Sequence, residues 1–190
     1  MGNFYVNFSV KRPDQQQVAD ILRRRQRTAL VTPALGEYVV VSDEEADWQD
    51  DRAIQTVGEL LSRETQAPVF AVLNHDDDIL AYWLFVDGQL TDSYDSAPDY
   101  FESSYDAFEK EDTEQGGDAR TLCSVLAAAA SPEHVERMLR GDYVFAIDRH
   151  AELAAALGLP DWSVGFSYRY VVENGELPDG LNDEQLVRVP

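Results

Sequence analysis

The chain has 190 residues, 44% of them hydrophobic, and a formal net charge of −21. That length and apolar content support one well-cored domain and exclude wholesale disorder, and no apolar run reaches the ~20 residues of a membrane-spanning helix. One cysteine, Cys123, excludes an internal disulfide and a cysteine-based zinc knuckle.

The charge is unevenly spread. Residues 1–27 carry six basic side chains against two acids, a net of +4, whereas Asn74 to Asp118 holds fourteen acids and one lysine. Such a field repels nucleic acid and anionic membrane and attracts cationic proteins. The opening MGNFYVNFSVK has no basic segment followed by an apolar one, so it does not read as a signal peptide, and Val6 stands where a myristoylation signal wants Ser or Thr. The expected setting is a reducing cytoplasm.

Phe4, Val6, Phe8 and Val10 alternate with Tyr5, Asn7 and Ser9, the period of a strand with one buried face. Pro13-Asp14 opens a helix in which Val18, Ile21 and Leu22 share a face. Strands at Ala29–Val31 and Tyr38–Val41 flank a Pro-Ala-Leu-Gly turn, and an acidic link leads to a helix over Arg52–Thr65. PVFAVLN and ILAYWLFV are apolar at nearly every position, as central strands covered on both faces should be. Asp87-Gly88 between ILAYWLFV and QLTDSY predicts a tight hairpin.

Residues 102–118, polar and acidic with a Gly pair, read as a linker or insertion between a sheet domain at 1–101 and a helix-rich part at 119–190. There the pattern predicts helices at Ala119–Ala130, at Glu133–Arg140 behind a Ser131-Pro132 start, and at Arg149–Leu157 between Asp148 and Gly158. Short strands are expected at Tyr143–Ile147 and Ser163–Val172, and a loosely packed tail from Leu177. The fold class that follows is α+β: a mainly antiparallel sheet, helices packed largely on one face, and a ferredoxin-like N-terminal half extended by a hairpin.

No P-loop, G-x-G-x-x-G or G-x-S-x-G is present. Asp92, Asp95 and Asp99 fit no calcium-loop register, because Tyr94 and Ser96, or Ala97 and Tyr100, fall where acids and the obligatory Gly belong. Asp95-Ser96-Ala97-Pro98 instead reads as turn chemistry. His75 beside Asp76, Asp77 and Asp78 has the residue types of a metal-assisted hydrolase, yet the run also has the form of a hairpin loop. Neither His134 nor His150 has a second histidine four residues away, so both read as surface or packing residues. Cys123 reads as a buried thiol. The Arg23-Arg24-Arg25-Gln26-Arg27 cluster is expected to pair with carboxylates of the chain itself or of a second copy, the latter giving a homo-oligomer through the basic first helix.

LFVDGQLTDSYDSAPDYF and YVFAIDRHAELAAALGLP resemble segments of a group of uncharacterised bacterial proteins, a resemblance that implies no activity. In size and acidity the chain is similar to immunity proteins of bacterial toxin systems, which implies a small cytoplasmic inhibitor. The function expected is a non-enzymatic acidic protein that binds a basic protein partner and needs no cofactor or metal. Asp92, Asp95, Asp99, Tyr100 and Glu102 are expected to form the contact, with Asp76, Asp77 and Asp78 nearby.

Overall fold

The computed structural model describes residues 2–100 and 114–190. The first six elements are β1 (Phe4–Lys11), α1 (Gln15–Arg24), β2 (Ala29–Val31), β3 (Tyr38–Asp43), α2 (Asp51–Thr65) and β4 (Val69–His75). A hairpin of β5 (Ile79–Val86) and β6 (Gln89–Asp95) follows. After it come β7 (Gln115–Gly116), α3 (Ala119–Leu126), α4 (Pro132–Leu139), α5 (Ala146–Leu157) and β8 (Val187–Val189). All eight strands join one antiparallel sheet in the order β7-β6-β5-β4-β1-β3-β2-β8. Within it, β4-β1-β3-β2 with two intervening helices is the ferredoxin-like arrangement, and β5–β6 extends its β4 edge.

Alternation along β1 splits the interior in two. Val6, Phe8 and Val10 pack with Val18 and Leu22 of α1 and with Ile54, Val57 and Leu61 of α2. Tyr5 faces the other way, into a second cluster with Leu122, Leu139 and Leu153 of α3, α4 and α5. The helices expected largely on one face therefore cover both: the ferredoxin-like pair lies on one side and the C-terminal three on the other. The physical cause is legible in β4 and β5, whose two apolar faces each need a cover. For the same reason β1 is buried on both faces, with Asn7 and Ser9 excluded from solvent.

The hairpin turn is as predicted. Asp87 and Gly88 have φ of 52° and 73°, the positive pair of a type I′ turn. α2 approaches β5 so closely that a Cβ on Gly58 would lie 2.2 Å from the Phe85 ring.

Both expected C-terminal strands differ. Residues 143–145 form a loop, and α5 begins at Ala146 rather than behind Asp148. Residues 163–172 coil through short helical turns, burying Phe166 and Val171 against Leu30 and Val40. The tail expected to be loose instead supplies β8, which pairs with β2 at the edge of the sheet. Most of the proposed 102–118 linker lies outside the described residues; Gln115–Gly116 pairs with Tyr94 and Asp95 at the sheet edge.

Candidate partner-binding surface

The β4–β5 turn presents the Asp run at one end of the sheet. Asp76 and Asp77 have φ of 53° and 60°, a left-handed conformation that Asp tolerates better than most residues. Asp77 is a structural anchor. Its carboxylate accepts from the Asn3 backbone N–H (3.1 Å), the Asn3 amide (2.9 Å) and the Asn74 amide (3.2 Å). Asp76 accepts from the Gly2 N–H at 3.0 Å, and Asp78 from the Tyr100 hydroxyl at 3.1 Å. The Asp78 carboxylate, as the acceptor of that bond, raises the Tyr100 pKa above its ordinary value. Asp76, Asp78 and Tyr100 all remain exposed.

His75 belongs to the packing of this turn. Its Nδ1 lies 2.5 Å from Gln49 Oε1, and because the Gln49 amide nitrogen donates to the Asn74 carbonyl, Nδ1 is the donor in the histidine pair. Its ring meets Phe4 edge-on at 4.9 Å. Among the described residues, no three His, Cys, Asp or Glu side chains are grouped to hold a metal ion.

The hairpin carboxylates do not share one face of the sheet. Asp92 pairs with Leu84 and Asp95 with Ala81. Leu84 packs under α3–α5 whereas Ala81 packs under α1–α2, and directly opposed residues share a face, so the two carboxylates point to opposite sides of the sheet. Asp92 accepts from the Tyr82 hydroxyl at 2.7 Å and from the Asp118 N–H at 3.0 Å, joining β6 to the start of α3. Asp95 accepts from the Ala97 N–H at 2.9 Å, the turn chemistry expected of it, and burial pushes its pKa up. Asp99 is half-buried, and Glu102 lies outside the described residues. Of the eight residues singled out from sequence, the exposed group at the sheet end is thus Asp76, Asp78 and Tyr100.

A neighbouring loop escaped the sequence reading. The Ala146 N–H donates to the Asp77 carbonyl at 2.6 Å, which seats the residues before α5 against the Asp turn. Val144 and Phe145 there are 84% and 53% exposed. Behind them a cleft of about 250 Å³ is bordered by Asp78, Ser96, Glu114, Asp142, Tyr143 and Arg149. Arg149 is turned inward: it donates to Tyr94 Oη and to the Gly141 carbonyl (2.6 Å), lies 3.8 Å from Glu114, and sits 5.0 Å from the centre of the Tyr143 ring. The apolar triplet Tyr143-Val144-Phe145 looks like a strand by composition. No capping residue ahead of Ala146 marks the start of α5, so the local sequence carried no signal for the loop.

The arginines at residues 23–27 pair with carboxylates of the chain itself. Arg23 pairs with Asp20 (2.8 Å), Arg24 and Arg25 with Glu64, and Arg27 with Asp43 and Glu45. The bond from Arg25 holds the Glu64 carboxyl below its usual range. Elsewhere Arg140 pairs with Glu136, Arg169 with Asp47 and Arg188 with Asp183.

No family model, curated protein or solved structure matches this chain. Neither resemblance drawn from the sequence acquires a family from these comparisons, and the functional reading rests on the surface itself.

Proposed function

We propose that this protein is a non-enzymatic binding module whose acidic surface recognises a basic protein, in the manner of an immunity-type inhibitor. The observation that carries the reading is the disposition of charge. The arginine cluster of the first helix is neutralised by the chain's own carboxylates, while Asp76 and Asp78 stand exposed around Tyr100 at the end of the sheet. A net charge of −21 leaves a large negative surplus that internal pairing cannot cancel. Such a surplus steers a cationic protein to the surface and raises the encounter rate, while an aromatic group at the contact slows dissociation. A homo-oligomer held by the basic first helix is less favoured, because docking would have to displace the contacts those arginines already make.

The test is capture of partners from the native organism at low ionic strength, followed by kinetics with each purified binder. A specific partner of high isoelectric point, with an association rate that falls steeply as salt is added, is the expected result. Capture of only neutral or acidic proteins, or a complex whose association ignores salt, would overturn the reading.

A further inference from the structure

Among the described residues, four of the five α-helices begin on a side-chain cap. Asp14, Asp50, Asp118 and Ser131 each accept a bond from a backbone N–H of the first turn of α1, α2, α3 and α4. The fifth does not. Phe145 occupies the cap position of α5 with extended backbone and no side-chain bond. A phenylalanine there forgoes the capping stabilisation that Ser, Asp or Asn would supply. Its ring is half in solvent and Val144 before it is almost fully exposed, so neither residue repays that loss with full burial in the core. An apolar pair that breaks a local rule without a compensating gain in the fold marks a place where another requirement has decided the sequence.

The backbone that presents this pair is fixed on both sides. The Ala146 N–H bonds the Asp77 carbonyl at 2.6 Å, the Tyr143 hydroxyl donates to Glu152 at 2.6 Å, and Arg149 holds the Gly141 carbonyl at 2.6 Å. A rigidly held apolar tip is a preorganised contact, since little freedom remains to be lost when it is covered. Its chemical setting is one-signed. Asp142 and Asp148 flank the tip in sequence and are exposed. Asp76 and Asp78 are exposed on the turn to which it is bonded, and the one arginine of the segment, Arg149, is buried.

We infer that Val144 and Phe145 form the apolar anchor of a docking site for a basic segment of another polypeptide, with Asp76, Asp78, Asp142 and Asp148 as its charged rim. This inference rests on the acidic-binding reading and gives it a location. Apolar and aromatic side chains at the centre with charged groups around them is the anatomy of protein interfaces, in which a few central residues carry most of the affinity. The sign of the rim selects a partner that sets Arg or Lys beside an apolar residue, and it disfavours nucleic acid and anionic lipid.

The probe is a displayed library of random short peptides, selected on the full chain at low salt. The binders are then measured on the wild type, on a Val144→Ser/Phe145→Ser variant and on an Asp76→Asn/Asp78→Asn variant. Both apolar side chains lie outside the core clusters and Ser at position 145 can supply the missing cap of α5, so the first variant should unfold at or above the wild-type temperature, which is verified before binding is measured. The expected result is enrichment of peptides that combine Arg or Lys with an apolar residue. Their affinity should fall about tenfold or more in the Val144→Ser/Phe145→Ser protein, mainly through faster dissociation. The Asp variant should instead show slower association and weaker salt dependence. Basic peptides that bind the wild type and the Val144→Ser/Phe145→Ser variant equally would overturn the anchor while leaving the acidic-binding reading standing. Enriched peptides without basic residues, or no enrichment at all, would overturn the inference and count against the reading as well.

Discussion

The Tyr5 hydroxyl and His150 Nδ1 lie 2.7 Å apart in the interior, where β1 meets α5 and neither side chain touches solvent. Burial lowers the His150 pKa from its ordinary 6.5 to about 3, and raises that of Tyr5. The histidine is therefore neutral in the fold, and its Nδ1 is matched to the one polar atom that reaches it.

A pH dependence follows from that pair. Between pH 6.5 and about 3 the unfolded chain binds a proton at His150 that the folded chain refuses. Stability from this group is thus fully present above pH 6.5 and is lost progressively as pH falls through the window, by about 1.4 kcal/mol per unit at most. Urea unfolding of the wild type and a His150→Leu variant at a series of pH values checks it. The variant's stability should fall less steeply below pH 6.5, by about one proton's worth of slope; equal slopes would mean that His150 is not buried in neutral form.

Asp47 makes a second buried tie. It accepts from the Val6 N–H (3.2 Å), the Ser167 hydroxyl (2.8 Å), and the Arg169 N–H (3.0 Å) and Nε (3.2 Å), and is wholly excluded from solvent. Asp47→Ala would leave those donors and the guanidinium without their acceptor, a loss of about 3–5 kcal/mol. Asp47→Asn keeps part of the hydrogen bonding and should fall between that variant and wild type in chemical denaturation. A change in Asp47→Ala within about 0.5 kcal/mol, the range of ordinary surface substitutions, would show that the tie is not formed in solution.

Those two ties also show why only part of the fold was legible. The ferredoxin-like order, the Asp87-Gly88 hairpin and the starts of α1 and α4 follow from local patterns: period-2 alternation, turn chemistry, and caps at Asp14 and Ser131. Residues 163–172 carry a strand-like composition, but what they form depends on distant partners. Ser167 and Arg169 are drawn to Asp47, more than a hundred residues earlier, and β8 rather than this segment pairs with β2. The candidate surface divides in the same way. Its residue types were visible in the Asp run, and the opposite facing of Asp92 and Asp95 is implicit in their odd separation along β6, but which helices cover each side depends on the pairing with Leu84 and Ala81. The contribution of Val144 and Phe145 depends on a bond from Ala146 to Asp77 that no spacing reveals.

Gly58 offers a test of the α2–β5 packing. By helix propensity alone, Gly58→Ala in the middle of α2 should stabilise by about 1 kcal/mol. A Cβ there would meet the Phe85 ring at 2.2 Å, and that ring is itself fully buried in the core. Overpacking of this kind costs about 1–3 kcal/mol and should outweigh the propensity gain. The expected result is a lower melting temperature; a higher one would mean that α2 stands further from the sheet.

The Asp residues named from sequence should separate into two classes by stability. Asp92 holds the Tyr82 hydroxyl and the first residues of α3, so Asp92→Ala leaves a largely buried hydroxyl and a backbone N–H seeking partners, at about 1–3 kcal/mol. Asp76→Asn and Asp78→Asn keep an oxygen that can accept from Gly2 and Tyr100, at exposed positions where changes are ordinarily within about 0.5 kcal/mol. Both also remove negative charge from a chain already at −21, so any electrostatic effect on stability should be small and favourable. Thermal unfolding of the three variants side by side should therefore lower the transition only for Asp92→Ala. If Asp76→Asn or Asp78→Asn were destabilised as much, those carboxylates would be holding the fold together, and their exposure could not be ascribed to recognition of a partner.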